Sequence, residues 1–220
     1  MMMRGLLHEL RNPLSSIITA STLLQDAALP GAVEVGAEGQ MLLEVIKKES
    51  LRLNHILTAF ADYIKIPPPT AEDFDLSKTI GAIVREMQAG VLPATVTIEN
   101  RFQNPCPVCA DEKQIRNALR HLIDNAAEEM PGGGTLVLEE VDGSTADFAG
   151  VCLSDSGQGF SRESRERAFQ PFYSTKSHSI GLGLSAVRSI IENAGGRVWI
   201  EDDGAGAGAT RICFELPRSS

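Results

Sequence analysis

Two apolar stripes at heptad spacing constrain this chain more than any other feature. Met3, Leu7, Leu10, Leu14, Ile17, Ser21 and Leu24 follow one another at alternating steps of four and three residues. Leu42, Ile46, Glu49, Leu53, Ile56, Phe60 and Tyr63 repeat the pattern. A seam of that period lies along one side of an α-helix and calls for partner helices. Pro30, Gly31 and Gly36 fall between the two stripes and punctuate a hairpin turn within residues 26–39. One hairpin buries too little apolar surface to stand alone, so the expected solution is a dimeric four-helix bundle and the chain is expected to be a homodimer. Pro67-Pro68-Pro69 ends the second helix and reads as a short stiff linker.

Beyond the linker the texture changes to mixed helix and strand. Helices are predicted over 76–88, 111–130 (Asp111 as N-cap) and 183–194. Strands are predicted over 95–102, 108–110, 135–141, 148–155, 197–201 and 210–216. The order is not strict βαβ alternation, which favours an α+β sandwich over a doubly wound sheet. The 220 residues divide into a hairpin at 1–66, a linker at 67–72 and a sandwich domain at 73–220.

Charge narrows the partners. Twenty Lys and Arg against 29 Asp and Glu give −9, which argues against nucleic acid, since that affinity rests on neutralising phosphates. Residues 1–66 carry 6 cations and 7 anions, so −1; residues 67–220 carry 14 and 22, so −8. Residues 12–25, the longest uncharged and fairly apolar run near the start, are too few and too rich in Ser and Thr for the ~20 apolar residues of a membrane span. Arg4, His8, Glu9 and Arg11 interrupt what would be the apolar part of a signal peptide. Four scattered cysteines do not make a secreted framework, so a cytoplasmic location is the expectation.

Four constellations carry chemistry. His8 lies beside the first seam and faces outward, with Glu9 next to it and Asn12 one turn on. An imidazole, whose ordinary pKa is about 6.5, is partly neutral and nucleophilic near pH 7, and an adjacent carboxylate can take its proton. Pro13 cannot donate to the Glu9 carbonyl and should bend the helix there. Asp155-Ser156-Gly157-Gln158-Gly159 follows a strand, placing a carboxylate acceptor where two glycines let a ligand approach the backbone. Gly181-Leu182-Gly183-Leu184 opens a helix whose bare N–H groups suit an anion. On the 111–130 helix, Asn125 and His121 share an edge of the apolar stripe, and an amide oxygen suits Mg²⁺. Each pattern alone has a plain structural explanation: a surface histidine, an Asp-Gly turn, a glycine N-cap, a solvated helix edge.

Taken in order, these pieces are similar to one family. His8–Leu14 resembles the H-box of two-component sensor histidine kinases, and Asn125 matches the metal-binding Asn of the N-box. Asp155-x-Gly157-x-Gly159 matches the first glycine box. Phe169-Gln170-Pro171-Phe172-Tyr173-Ser174-Thr175-Lys176 resembles the F-box, and Ser179-x-Gly181-Leu182-Gly183-Leu184 the second glycine box. The resemblance covers nearly the whole chain, and the short lid and residues 126–135 look most like the nitrogen-regulation subgroup. It implies an α-helical phosphotransfer hairpin joined to a GHKL ATP-binding sandwich of Bergerat type, with ATP and Mg²⁺ as cofactors. The implied partners are a response regulator receiver domain and a sensor domain or sensor partner.

The resemblance also implies roles. His8 is the phospho-acceptor, Glu9 its base, and Asn12 places water for dephosphorylating the regulator. Asn125 holds the metal; Asp155 binds the adenine amino group with Thr210 close by; Gly157 and Gly159 shape the loop. Gly181, Leu182, Gly183 and Leu184 meet the phosphates, with Lys176 reaching toward them. Two positions depart from the family. His121 stands where the N-box has its first Asn, and Ser179 where the second glycine box has its first Gly. The alternatives weighed are a nucleotide-idle scaffold or pseudokinase, and a GHKL clamp-type ATPase. The latter carries a Glu at the position of His121 and has no H-box hairpin. Cys106-x-x-Cys109, Cys152 and Cys213 read as strand and core residues. His55, His178, Gly204–Gly208 and the pair Glu128-Glu129 read as packing or solvated surface.

Overall fold

The computed structural model describes residues 2–27, 37–64, 67–90, 92–176, 179, 181–201 and 210–219. Most of the hairpin turn, His178 and the glycine run at 204–208 lie outside the described residues, as do the side chains of His8, Glu9 and His55.

The hairpin is α1 (Met2–Ala27), with Pro13 inside it, and α2 (Ala37–Ile64). Pro13 and Ala20 of α1 and Gly39 and Ile56 of α2 are buried between the two helices. Leu10, Ile17, Ser21 and Leu24, with Leu42, Ile46, Glu49 and Leu53, are half-buried beside them, so the heptad seams close the hairpin on itself. Leu14 departs from its predicted place on the seam and stays 48% exposed. Ile18, Leu43 and Leu57 are also exposed, as are Met41, Val45 and Leu51. A second apolar surface is therefore left over once the hairpin has closed.

The sandwich begins with β1 (Glu72–Asp75) and α3 (Leu76–Gln88), then β2 (Val96–Asn100), β3 (Pro107–Ala110) and α4 (Glu112–Glu128). It continues through β4 (Gly134–Asp142), β5 (Phe148–Asp155), α5 (Arg162–Arg167), α6 (Gly183–Asn193), β6 (Arg197–Glu201) and β7 (Thr210–Pro217). The five-stranded sheet runs β2-β4-β5-β7-β6; β2–β4 is parallel and the other pairs are antiparallel. β1 and β3 form a separate antiparallel ribbon. Two elements escape the sequence reading. The acid-rich Glu72–Asp75 becomes a strand because it pairs with β3, and the six-residue α5 has no apolar period to announce it.

Side-chain caps set where the helices start. The Asp75 carboxylate accepts from Ser77 N at 3.1 Å and from Cys106 N at 3.0 Å, joining α3 to the approach of β3. Asp111 caps α4 as predicted, accepting from Gln114 N at 3.1 Å, and also takes the N–H of Thr70 in the linker at 3.0 Å. Burial alone would raise both carboxyls, but these donors outweigh it and hold both below their ordinary value. Leu76, Ile80 and Ile83 of α3, Ile115, Leu119 and Leu122 of α4, and Val187 and Ile191 of α6 pack over one face of the sheet.

The other sheet face is covered by long side chains in place of helices. Arg211 bonds Glu139 and Glu201 at 2.7 Å each, and the Arg197 guanidinium lies 4.7 Å over the Trp199 ring. Beneath them the structure corrects the reading of Cys152 and Cys213 as separate core residues. The β5–β7 register sets them directly opposite each other, and they form a disulfide on this outer face. Cys106 and Cys109 are free, and burial first, with the nearby Glu140 charge adding, pushes the Cys106 thiol up to about 11.

Candidate nucleotide and phosphotransfer site

Four structural pieces converge at one end of the sandwich. The first is the end of β5. Asp155 is 5% exposed, and its Oδ1 accepts from Gly157 N at 2.9 Å. Its register partner on β7 is Thr210, itself buried, which donates to it from both backbone and side chain. Burial first, and then the charge of Glu129, raises the Asp155 carboxyl above its ordinary value, against the pull of these donors. Gly157 has no room for a side chain: a Cβ there would meet Asp155 Oδ1 at 2.8 Å and Glu129 Cβ at 2.9 Å. Gly159 turns the loop at φ +73°.

The second piece is the start of α6. Its N-cap, Leu182, makes no side-chain cap bond, and Ser185 Oγ turns back to the Leu182 carbonyl at 2.9 Å. Among the described residues no side chain caps the first amides of α6, which is the arrangement an anion needs. Gly181 sits in front of them at φ +71°, where a Cβ would lie 2.7 Å from Tyr173 N, while its carbonyl accepts from Phe172 N at 2.9 Å. Among the described residues, nothing beyond its chain neighbours and its own helix backbone lies within 4 Å of a would-be Cβ on Gly183.

The third piece is the strip before the lid. Phe172 adopts φ +62°, and the ring of Tyr173 is held between Ser164 Oγ, 3.2 Å from its hydroxyl, and the Arg167 guanidinium, 4.3 Å from its centroid. This strip ends at Lys176, which reaches the fourth piece, the last turns of α4. Lys176 Nζ, 14% exposed, donates to Asn125 Oδ1 at 3.2 Å and to the Asn125 carbonyl at 3.4 Å. It pairs with Glu128 at 2.8 Å and Glu129 at 3.0 Å.

Glu128 and Glu129 lie at a partly solvated helix end, as expected, and also pair with Lys176 there. They complete a set of hard oxygens that already holds one cation. The signal was present in the sequence, since positions i, i+3 and i+4 of a helix share a face. His121 lies one turn before Asn125 on the exposed side of α4, where its charge is felt by Asp124. In α1, Asn12 is exposed and its carbonyl accepts from Ser16 Oγ at 3.3 Å.

A helix-covered mixed sheet with a buried Asp at one strand end, an uncapped helix and an Asn-centred cation locus defines a GHKL-type sandwich. It follows here on a helical hairpin. The chain belongs to the "Histidine kinase-, DNA gyrase B-, and HSP90-like ATPase" family, matched over residues 110–220, and residues 1–68 match the "His Kinase A (phospho-acceptor) domain". Sensor histidine kinase ZraS of Salmonella typhi is 28% identical over 208 residues, covering 92% of this chain and 43% of that protein. Sporulation kinase D of Bacillus subtilis is 29% identical over 218 residues, 97% of this chain and 40% of that protein. The chain thus spans less than half the length of these relatives. Among solved structures, the nucleotide-free catalytic domain of histidine kinase ThkA matches with TM-score 0.58 and 27% identity, over 69% of this chain and 99% of that one. ThkA in complex with response regulator protein TrrA matches the fold with TM-score 0.71 and 23% identity, over 99% of this chain and 61% of that one.

Proposed function

We propose that this chain is the catalytic core of an autophosphorylating protein histidine kinase, which passes a phosphoryl group from ATP to His8 and on to an aspartate of a response regulator. The observation that carries the proposal is the convergence of Asp155, the open start of α6 and the Lys176–Asn125–Glu128–Glu129 cluster at one end of the sandwich, in a chain that also carries the phospho-acceptor hairpin. In this reading Asp155 accepts from the adenine amino group, supported by Thr210, and Gly157 and Gly159 keep the loop backbone close to the base. The amides around Gly181, Leu182, Gly183 and Leu184 take the phosphates, and His121 lines the outer wall.

Asn125 Oδ1 and the two carboxylates are oxygen donors of the kind Mg²⁺ takes, and they already converge on the Lys176 ammonium, so the residues fit the ion. Held by Asn125, Glu128 and Glu129, Mg²⁺ would supply charge neutralisation for the phosphates. Phosphoryl transfer otherwise asks the protein for positioning and charge stabilisation. A His8 ring nitrogen attacks the γ-phosphorus, the bond to the β-phosphate oxygen breaks, ADP leaves, and Glu9 holds the ring proton. In the second step the P–N bond breaks as the regulator's carboxylate takes the phosphoryl group, and Asn12 positions water when the same hairpin dephosphorylates the regulator.

We assign the hairpin to 1–66, the linker to 67–72 and the ATP domain to 73–220, with the homodimer formed through Leu14, Ile18 and the exposed leucines of α2. A kinase–regulator complex among the similar folds supports the receiver-domain partner. No helix among the described residues is long and apolar enough to cross a membrane, and we place the core in the cytoplasm, served by a sensor domain or sensor partner. Incubating the chain with labelled ATP and Mg²⁺ should give an acid-labile, base-stable phosphoprotein. Equal labelling of His8→Gln, or none in the wild type, would refute the assignment.

A further inference from the structure

The far end of α4 borders a second concavity, about 590 Å³, between one side of α3 from Ser77 to Arg85, the end of β2 and the start of α4. That volume lies within the range of small-ligand sites. Its lining includes Lys78, Arg85 and Arg116 against a single carboxylate, Glu112, on a domain whose residues 67–220 sum to −8. The carboxylate is already engaged, since Glu112 Oε1 accepts from Thr79 Oγ1 at 2.7 Å. The cations are not comparably engaged. Among the described residues nothing accepts from the Arg85 guanidinium. Lys78, itself exposed, pairs with the half-buried Asp75 at 3.4 Å, and Arg116 reaches Glu86 only at 3.4 Å.

Two donors converge from different elements. Asn100 Oδ1 is held by the N–H of Phe102 at 3.1 Å, which fixes the direction of the amide. Its Nδ2 then lies 3.7 Å from the point where a Gly81 Cβ would stand, and Arg85 Nη1 lies 3.6 Å from the same point. Glycine at 81 thus leaves open a space flanked by an oriented amide donor and a guanidinium. A planar guanidinium and a fixed amide with no acceptor between them match an oxyanion with several acceptor oxygens.

We propose that this cleft is a binding site for a small multivalent oxyanion, a phosphate- or carboxylate-bearing metabolite, held by Arg85, Arg116, Lys78 and the Asn100 amide. It is separate from the nucleotide cleft: Arg116 and Asn125 share α4 but stand nine positions apart, roughly 13 Å along the axis at 1.5 Å per residue. It also adjoins the clamp on the linker, where Gln114 Nε2 donates to the Pro67 carbonyl at 2.9 Å and Asp111 takes Thr70 N. A bound anion would therefore sit beside the joint between the linker and α4.

The test is calorimetric titration of the chain with pyrophosphate and, separately, with citrate at low ionic strength. At least one should bind saturably, and the one that does names the ligand class; saturation by both assigns the site to oxyanions generally. Arg85→Ala should weaken that binding at least about tenfold, as loss of a charged hydrogen-bond donor requires, and Arg85→Lys should recover part of it. Asn125→Ala, in the other cleft, should leave it unchanged. Thermal melts of each variant check that the exposed substitution has left the fold intact. The proposal is overturned if neither anion binds. It is equally overturned if binding survives Arg85→Ala but is lost with Asn125→Ala, which would place the pyrophosphate in the nucleotide cleft, or if only an acidic peptide such as oligoglutamate binds.

Discussion

Replacing Asp155 by Asn separates what this residue does for the fold from what it does for the ligand. In the folded chain Asp155 is 5% exposed and accepts from Gly157 N at 2.9 Å and from both donors of Thr210. The amide keeps one acceptor oxygen but turns the other into a donor facing donors, a mismatch costing about 1–3 kcal/mol. Against that, the substitution removes a buried carboxylate whose ionisation the fold disfavours, as its raised pKa shows. The two terms oppose, so the melting temperature should move by no more than a few degrees at ~2–4 °C per kcal/mol for a domain of this size. Ligand binding has no such compensation. The adenine amino group loses a charged acceptor worth about 1.5–3 kcal/mol, which at 1.4 kcal/mol per decade is a loss of roughly 10- to 100-fold in ADP affinity. Calorimetry with ADP and Mg²⁺, alongside a thermal melt, reads both quantities. ADP affinity within twofold of wild type at an unchanged melting temperature would refute the adenine assignment. The pH dependence gives an independent check. A carboxyl whose folded pKa lies above its unfolded value favours the fold at acid pH and costs stability as the pH rises through the folded pKa. Its acceptor role runs the other way, so ADP affinity should fall, as the pH is lowered, sooner than for an ordinary Asp, and Asp155→Asn should abolish that dependence.

Gly181→Ala should destabilise, because φ +71° and the backbone of Tyr173 both oppose a Cβ, by about 1–2 kcal/mol or more and a melting-point drop of several degrees. Gly183→Ala should instead stabilise by up to about 1 kcal/mol in thermal melts, the helical site being open, while weakening ADP binding; unchanged ADP affinity would place the phosphates elsewhere. The Asp75 and Asp111 carboxyls are held below their ordinary value of 3.8, so the stability they add is present above that value and lost as the pH falls through their lower folded pKa values. The stability gap between wild type and Asp75→Asn, followed by acid titration, should therefore shrink only below about pH 4. Ile18→Glu with Leu43→Glu, at 57% and 47% exposed positions, should give a monomer by light scattering with the ATP domain's melt unchanged. Lys176→Met leaves two carboxylates without their counter-ion. Mg²⁺ affinity measured without nucleotide should rise, and ADP affinity at saturating Mg²⁺ should fall.

Regular elements were legible where local physics decides them. The spans of α3 and α4, and the Asp111 cap, depend on residues near one another in sequence, and the structure places them where the pattern does, to within two residues. β1 was not legible, because Glu-Asp-Phe-Asp becomes a strand only through pairing with residues some 35 positions later. The disulfide was hidden for a related reason: Cys152 and Cys213 meet through a register that β4, β5 and β7 settle together, across 61 residues of chain. In the site, Asn125, Asp155 and the glycines were visible because each needs a special residue type. Glu128 and Glu129 do lie at a solvated helix end, and what the pattern could not show is their pairing with Lys176, which approaches from the distant strip.

That approach gives the acidic balance of the domain a local consequence. Asn125 Oδ1, Glu128 and Glu129 surround the Lys176 ammonium at 2.8–3.2 Å, so a divalent ion on the same oxygens and the lysine compete for one place. In the proposed function, phosphate oxygens would add to the shell of a doubly charged ion and favour it over the ammonium, which the same phosphates would attract. Gly181 is fastened to Phe172 and packed against Tyr173, and Tyr173 is fastened to Ser164 of α5, so the backbone flanking the lid is tied at residues 172, 173 and 181. On that proposal one cation would screen the carboxylates without nucleotide and serve the triphosphate with it. A neutral side chain at 176 could do neither, and an arginine, with its donors fixed in a plane, could not satisfy the same converging oxygens as a point charge does.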